Sequence, residues 1–164
     1  MKKYKLMFIV LSYAIIVTAV LYSKHVFARV SFQQIKNVFS YLENSSGYHV
    51  PLCYDESQKV NASSDANEIC ITQGMLNELK TNDQIAMVLG HELTHYIKQH
   101  FRQQGSAKQE LEADAGGYYY CKKLGYKKCL TFLMQMRRKY GEEGKDGIHP
   151  SWTRRLEKLK HHAK

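Results

Sequence analysis

Apolar residues recur at helical spacing through most of the chain beyond residue 30, and one stretch of short β-like runs interrupts them. Ser31 and Gln34 form a capping box that predicts a first helix, which should end at the turn cluster 44–47. Short alternating runs between Tyr48 and Thr72 predict strands. The pattern therefore predicts an α+β domain that is mostly helical, with further helices at about residues 74–79, 81–102, 106–125 and 129–140 and a last one around Trp152.

The N-terminus has a different pattern. Three lysines precede an apolar run over residues 6–22, and Val26 and Ala28 place small residues at the −3 and −1 positions of a signal-peptidase site. This favours a cleaved secretory signal over residues 1–28 and a single exported domain over residues 29–164. The alternative is an anchor retained at residues 6–22. Either way the folded part lies outside the cytoplasm, in the periplasm or secreted.

All four cysteines lie beyond Ala28, and an even number of cysteines in an exported chain favours disulfides. Three pairings are possible. We favour Cys53–Cys70 with Cys121–Cys129 because each bond closes a short local loop. Zinc-binding thiolates are disfavoured because the chain has no CxxC spacing.

The formal net charge is +9, and residues 1–28 carry four lysines and no acid. The remaining chain therefore keeps only a modest basic excess. A nucleic-acid partner would require a recognisable module or interleaved aromatic residues, and the sequence offers neither. A solvated basic face with some attraction to anionic membrane surfaces fits better.

Residues 90–95 read Gly-His-Glu-Leu-Thr-His, an HExxH motif. On a helix, His91 and His95 are separated by about 400° of rotation, so both imidazoles leave one face, one turn apart. They can hold one Zn²⁺ per chain, and Glu92, about 100° from His91, can act as a base beside the metal. The apolar residues before Gly90 predict a buried helix, which argues against an exposed helix that merely carries two histidines.

A catalytic zinc site needs a third protein ligand, and the HExxHxxGxxH arrangement is absent. Downstream acids supply the candidates, with Glu110 ahead of Glu112 and Asp114. Asp114 suits another role, in which its carboxylate holds a ligand histidine in the metal-binding tautomer.

Helical geometry also predicts which polar residues point away from the metal. Glu112 lies about 200° from Glu110 and should point elsewhere. On a helix that continues to Arg102, His100 lies about 180° from His91 and should face away. Gly116 and Gly117 should let the Glu110 helix press against the HExxH helix.

Two residues near the C-terminus leave alternatives open. His149 could donate to a developing oxyanion or occupy the open metal position in a resting state, or it could simply cap the helix beside Pro150. Arg155 could stabilise the tetrahedral intermediate, or it could anchor Asp114 or the last helix. We favour the structural role for Arg155.

In combination, these motifs resemble the gluzincin peptidases of the HtpX and CAAX-prenyl-protease type. The resemblance spans about residues 48–159, and it rests on the following segments: Asn61-Ala62, residues 71–76, residues 90–95, residues 110–114, His149-Pro150 and Arg155-Leu156.

The resemblance implies a zincin-like fold in which a small antiparallel sheet edges the active-site cleft. It implies that Glu110 is the third zinc ligand and that Glu92 is the general base and acid. It also implies that the strand near Asn61 and Ala62 binds extended polypeptide by β-augmentation. The chain is similar to the small exported branch of the family, some of whose members act on misassembled envelope proteins.

The sequence thus predicts an exported zinc metalloendopeptidase that acts on unfolded or misassembled proteins. The alternative is a zinc-stabilised envelope module that binds extended strands like a chaperone and does not cleave them. Glu92 argues against this alternative because a purely structural zinc site has no need of a base.

Overall fold

The computed structural model describes residues 30–142 and 149–162. The predicted leader over residues 1–28 lies outside them and stays a prediction. The elements follow in this order: α1 (Phe32–Ser46), β1 (Leu52–Asp55), β2 (Ala62–Ser64), β3 (Ile69–Thr72), α2 (Gln73–Glu78), α3 (Asn82–Ile97), a 3-10 turn (His100–Arg102), α4 (Ala107–Lys123), α5 (Thr131–Tyr140) and α6 (Trp152–His162). The described chain is therefore mostly helical with a small sheet, which confirms the α+β class. None of these helices has the length and apolar character that a membrane span requires.

Local sequence signals set the ends of α1. The Gln34 backbone N–H donates to the Ser31 side chain at 3.1 Å, and Gly47 ends the helix in the left-handed conformation with φ of 78°. Glycine adopts this conformation without the steric cost that a Cβ atom imposes. The predicted first helix is confirmed, and its apolar face is buried by Ile35, Val38, Phe39 and Leu42.

The sheet is mixed, so the prediction of an antiparallel sheet is wrong for β1. The strand order is β1-β3-β2: β3 pairs in parallel with β1 and antiparallel with β2. A meander of sequential neighbours would have made every pair antiparallel. Because β3 inserts between β1 and β2 instead, it runs in the same direction as β1. The strand β2 is left at an edge.

The crossover from β1 to β2 depends on one glycine. The connection passes over the start of α2, where the Gly74 backbone N–H donates to the Ser57 carbonyl at 3.0 Å. A Cβ atom at position 74 would clash with the carbonyl oxygens of Gln58 and Lys59. The Asn61 N–H donates to the Thr72 hydroxyl oxygen at 3.1 Å, which fixes the end of the connection beside β3.

Helices α3 and α4 form the centre of the molecule. Residues 84–90 of α3 are all buried, which confirms the predicted buried helix. The predicted close packing through Gly117 is also confirmed, because a Cβ atom there would lie 2.6 Å from the Met87 carbonyl oxygen. Side chains of α1, α5 and α6 complete the core, among them Phe39, Leu133 and Leu159.

Two disulfides staple the fold. The structure joins Cys53 to Cys70 between the parallel strands β1 and β3, and Cys121 to Cys129 between the end of α4 and the loop before α5. This is the pairing expected from short loop closure. No cysteine is free in the described part of the chain.

Candidate metal centre

Helix α3 presents the two motif histidines on one face. Thr81 caps the N-terminus of the helix, and its side chain accepts a hydrogen bond from the Gln84 backbone N–H. The His91 Nε2 and His95 Nε2 atoms lie 3.0 Å apart, as the four-residue spacing predicts. Both imidazoles therefore direct the same ring nitrogen toward one point.

Helix α4 brings a carboxylate to this point. Glu110 lies in its first turn, just after the Ser106 cap, with Oε1 3.3 Å from His95 Nε2 and Oε2 3.6 Å from His91 Nε2. One donor atom from each of the three side chains lies within 4.8 Å of the others. Two imidazoles and one carboxylate form a donor set that catalytic zinc uses, so these residues fit a zinc ion.

One other group in the described residues has metal-ligand side chains close together, namely Cys53, Glu68 and Cys70. Its two sulfur atoms are joined in a disulfide and cannot act as thiolate ligands. The triad of His91, His95 and Glu110 on α3 and α4 is therefore the stronger candidate for a metal site.

The Glu110 carboxylate is suited to stay ionised. Burial by itself would raise its pKa, but the hydrogen bond from His95 and the charges of His91 and His95 outweigh burial and lower the pKa below its ordinary value. An ionised carboxylate is the form that ligates a metal.

Glu92 has the opposite electrostatic environment. Its residue is 8% exposed, and burial raises the pKa of its carboxyl group. The charge of Glu110 raises the pKa further, although His91 and His95 oppose the shift. A carboxyl group with a raised pKa beside a metal site is well placed to hold a proton and release it.

Asp114 holds His91 from the side opposite the metal site. Its Oδ1 lies 3.0 Å from His91 Nδ1, and Arg155 donates to both carboxylate oxygens at 2.7 Å. Asp114 is fully buried; burial alone would raise its pKa, but the hydrogen bonds from Arg155 and His91 lower it to about 2. The carboxylate therefore stays ionised and keeps the His91 proton on Nδ1, which leaves Nε2 available to a metal. These contacts favour the anchoring role for Arg155.

The model of peptidase family M48 matches residues 30–107, just under half of the 164-residue chain. Over these residues the chain is similar to peptidase family M48. This is the family of the HtpX and CAAX-protease type, so the predicted resemblance is confirmed. Comparisons with curated proteins and with solved structures found no significant match.

Peptidases of family M48 are zinc-dependent, and the match to this family supports metallopeptidase activity. The matched region contains the HExxH motif but ends before Glu110 and Asp114. The distances of Glu110 from His95 and of Asp114 from His91 support the roles of these two residues independently of the family match.

The structure corrects one prediction about the candidate metal site. The prediction that α3 continues to Arg102 and turns His100 away is wrong. The helix ends at Ile97, and Gln99 adopts a left-handed conformation with φ of 54°, which starts a 3-10 turn. As a result His100 is buried, and its Nδ1 lies 2.9 Å from His95 Nδ1.

Glu112 points away from the metal ligands, as expected, but it contacts His100. Its Oε2 lies 3.6 Å from His100 Nε2, and its Oε1 lies 3.2 Å from Lys98 Nζ. Burial and the charge of His95 lower the His100 pKa, while the charge of Glu112 opposes the shift. The lowered pKa favours the neutral form of His100.

Two cavities flank the triad, and Asn61, Ala62 and His149 line both of them. The first has a volume of about 440 Å³, and its wall beyond the triad is largely apolar, formed by Val60, Met75, Met87, Val88, Phe132, Leu133, Met136 and Trp152. His149 is exposed at the rim. The segment 143–148 before it lies outside the described residues.

Sequence reasoning missed His100 and the apolar cavity. A glutamine at position 99 carries no signal for a left-handed turn, because this conformation favours glycine or asparagine. The cavity walls come from β2, α3, α5 and their neighbours, and no local pattern predicts that these apolar faces leave a gap.

Proposed function

We propose that this protein is an exported zinc-dependent endopeptidase that cleaves unfolded or misassembled polypeptides. One observation carries the proposal: the donor atoms of His91, His95 and Glu110 converge within 4.8 Å beside the buried Glu92. This combination gives a metal a place to bind and gives the reaction a group that can move a proton.

His91, His95 and Glu110 would hold one zinc ion. Bound zinc would supply a Lewis acid that polarises the carbonyl of the scissile peptide bond. Asp114 and Arg155 keep the His91 imidazole oriented, so its Nε2 stays directed at the site.

Glu92 carries the proton transfers in the proposed reaction. Its carboxylate takes a proton from the attacking water, and the protonated carboxyl then gives that proton to the leaving amide nitrogen. The raised pKa supports this cycle, since it brings the affinity of the carboxylate for a proton closer to neutral pH. His149 is close enough to the rim of both cavities to meet bound substrate.

The edge strand β2 and the apolar cavity support an extended polypeptide as the substrate. Backbone groups near Asn61 and Ala62 would pair with the substrate main chain, which demands little of its sequence. A cavity of about 440 Å³ can accept one large apolar side chain next to the scissile bond. Unfolded proteins expose both an extended main chain and large apolar side chains.

The predicted leader and the two disulfides support export. Disulfides persist outside the reducing cytosol, and the pairs Cys53–Cys70 and Cys121–Cys129 both lie in the domain predicted to be exported. A final location in the periplasm, in the medium or at a membrane anchor is compatible with both observations.

The test compares wild type with Glu92→Gln, using the purified full-length chain. Zinc content and cleavage of casein, an unfolded protein, are measured together. We expect one zinc per chain in both proteins and a loss of cleavage of at least about 100-fold in the variant. Glu157→Gln, an equivalent change on the exposed face of α6, is the matched control and should cleave at the wild-type rate.

Three outcomes would contradict the proposal. Equal cleavage by Glu92→Gln would exclude the proton-transfer role. Zinc without cleavage in wild type and variant would instead favour the non-cleaving, zinc-stabilised binding module. The absence of zinc from the wild-type protein would exclude the metal site itself.

A further inference from the structure

The two histidines of the metal site are held in different ways. His91 directs Nε2 to the site and has its Nδ1 beside the Asp114 carboxylate, 3.0 Å away. His95 also directs Nε2 to the site, but its Nδ1 faces another imidazole, that of His100, at 2.9 Å. The rings of His95 and His100 meet edge to face, with centroids 4.9 Å apart.

The chemistry of imidazole fixes the proton positions in this pair. A metal bound at His95 Nε2 requires the ring proton on Nδ1, so Nδ1–H is a donor. The 2.9 Å contact then requires His100 Nδ1 to accept, which places the His100 proton on Nε2. That nitrogen faces Glu112 Oε2 at 3.6 Å, where the carboxylate favours a proton on Nε2 over one on Nδ1.

The contact between His95 and His100 requires an unfavourable backbone conformation at the preceding residue. Gln99 takes a left-handed conformation with φ of 54°, which is uncommon for a residue with a side chain, and this turn brings His100 back under α3. The His100 side chain is 9% exposed, so water competes little for its nitrogen. Lys98 holds the Glu112 carboxylate in place, with its Nζ 3.2 Å from Glu112 Oε1.

We propose that His100 is a positioning residue for the zinc site and that it works as a relay, in which Glu112 orients His100 and His100 orients His95. The inference rests on the proposed zinc site. The relay keeps His95 in the tautomer that exposes Nε2 to the metal and holds the ring at the required angle. His100 accepts a hydrogen bond from His95 Nδ1, as Asp114 accepts one from His91 Nδ1. The acceptor in His100 is an imidazole nitrogen in place of a carboxylate oxygen.

The experiment measures zinc affinity, by competition with a chelating dye, in the full-length chain carrying His100→Asn or His100→Leu. The asparagine Oδ1 lies close to the position of the histidine Nδ1 and can accept from His95, whereas leucine has no acceptor. We expect His100→Leu to weaken zinc binding by about 10- to 100-fold. The zinc affinity of His100→Asn should stay within about threefold of the wild-type value. The melting temperature with excess chelator reports on folding alone.

A zinc affinity for His100→Leu equal to that of His100→Asn would overturn the relay. If His100→Leu does not fold, His100→Gln replaces it, because the longer side chain places its acceptor near the former Nε2 and away from His95. Asn and Gln with equal zinc affinity would likewise overturn the inference. If the wild-type protein binds no zinc, the proposed function is refuted. If the wild-type protein binds zinc but substitutions at His100 do not change the affinity, only the relay is refuted.

Glu112→Ala tests the outer end of the relay. Glu112 has a side chain that is 41% exposed, so its removal should leave the metal-free melting temperature near that of wild type. We expect zinc binding to weaken by about threefold, less than for His100→Leu, because His100 then loses its orienting charge but not its contact with His95. Stronger zinc binding in Glu112→Ala would count against the relay.

Discussion

The backbone of Gly117 lies directly against the backbone of His91. A Cβ atom at position 117 would lie 2.9 Å from the His91 nitrogen and 2.6 Å from the Met87 carbonyl oxygen, both backbone atoms that cannot move aside alone. This contact lets α4 lie close enough to α3 for Glu110 to approach His95 at 3.3 Å. The absence of one side chain on α4 therefore sets the spacing of the candidate metal ligands on the two helices.

Gly117→Ala should force α3 and α4 apart. Alanine favours helix over glycine, yet overpacking at this contact should lower the free energy of unfolding by about 1–3 kcal/mol. Zinc affinity should fall as well, because Glu110 moves with α4. Thermal unfolding and dye competition measure the two effects.

Gly90→Ala is the graded control for this contact. A Cβ atom at position 90 would meet the Gly117 Cα at 3.0 Å and the Tyr120 Cβ at 3.3 Å, a milder overlap than at position 117. We expect a smaller loss of both stability and zinc affinity. Equal stability of Gly117→Ala and wild type would show that the helix spacing tolerates a side chain.

Arg155→Met should destabilise the protein strongly. It leaves the fully buried Asp114 carboxylate without the guanidinium that donates to both of its oxygens, and breaking a buried ion pair in this way costs about 3–5 kcal/mol. Urea denaturation measures the loss. The double variant Asp114→Asn with Arg155→Met should recover part of it, since no unpaired charge remains. A loss below about 1 kcal/mol for the single variant would exclude this anchoring role.

Val60→Phe should change which peptides are cleaved. Val60 lines the apolar cavity of about 440 Å³, so a larger side chain there takes space from a substrate side chain. We expect kcat/KM to fall about tenfold or more for peptides with leucine or phenylalanine next to the scissile bond. Peptides with alanine at that position are the matched control and should be cleaved as before. A uniform fall for both peptides would place the substrate side chain elsewhere.

Glu78 gives the protein a pH-dependent contribution to stability. Burial by itself would raise the Glu78 pKa, but Lys139 and the Tyr140 hydroxyl, which donates at 3.1 Å, lower it below the ordinary value of 4.5. Because the folded pKa lies below the unfolded one, the stabilisation is complete above that ordinary value and is lost as the pH falls below it.

Glu78→Gln should therefore be less stable than wild type near neutral pH, with the difference shrinking as the pH falls from about 5 to 3. Urea denaturation across this range measures it. Glu157→Gln, on the exposed face of α6, is the control and should follow the wild-type curve. If the difference in free energy of unfolding between Glu78→Gln and wild type stays constant with pH, the Glu78 carboxylate does not make this pH-dependent contribution.

Much of the site follows from local sequence. The spacing of His91 and His95 places two imidazoles on one face because helical geometry is nearly invariant. The N-caps at Ser31, Thr81 and Ser106 can likewise be predicted from the sequence. The side-chain oxygen of each cap accepts a hydrogen bond from a free backbone N–H three residues later, wherever the helix lies in the fold. The short-loop disulfide pairing also agrees with the structure.

Relations between distant segments could not be predicted in this way. Strand β3 inserts between β1 and β2 because the crossover packs against Gly74, and nothing in the strands themselves indicates that order. His100 reaches His95 only because the chain turns sharply at Gln99, a residue with no preference for that conformation. The sequence by itself determined where the main helices begin, their N-terminal caps and the placement of His91 and His95 on one helix face, because these depend on neighbours a few residues apart. Tertiary packing decided the strand order, the distance of Glu110 from the histidines and the contact of His100, because each depends on two segments meeting at a fixed separation.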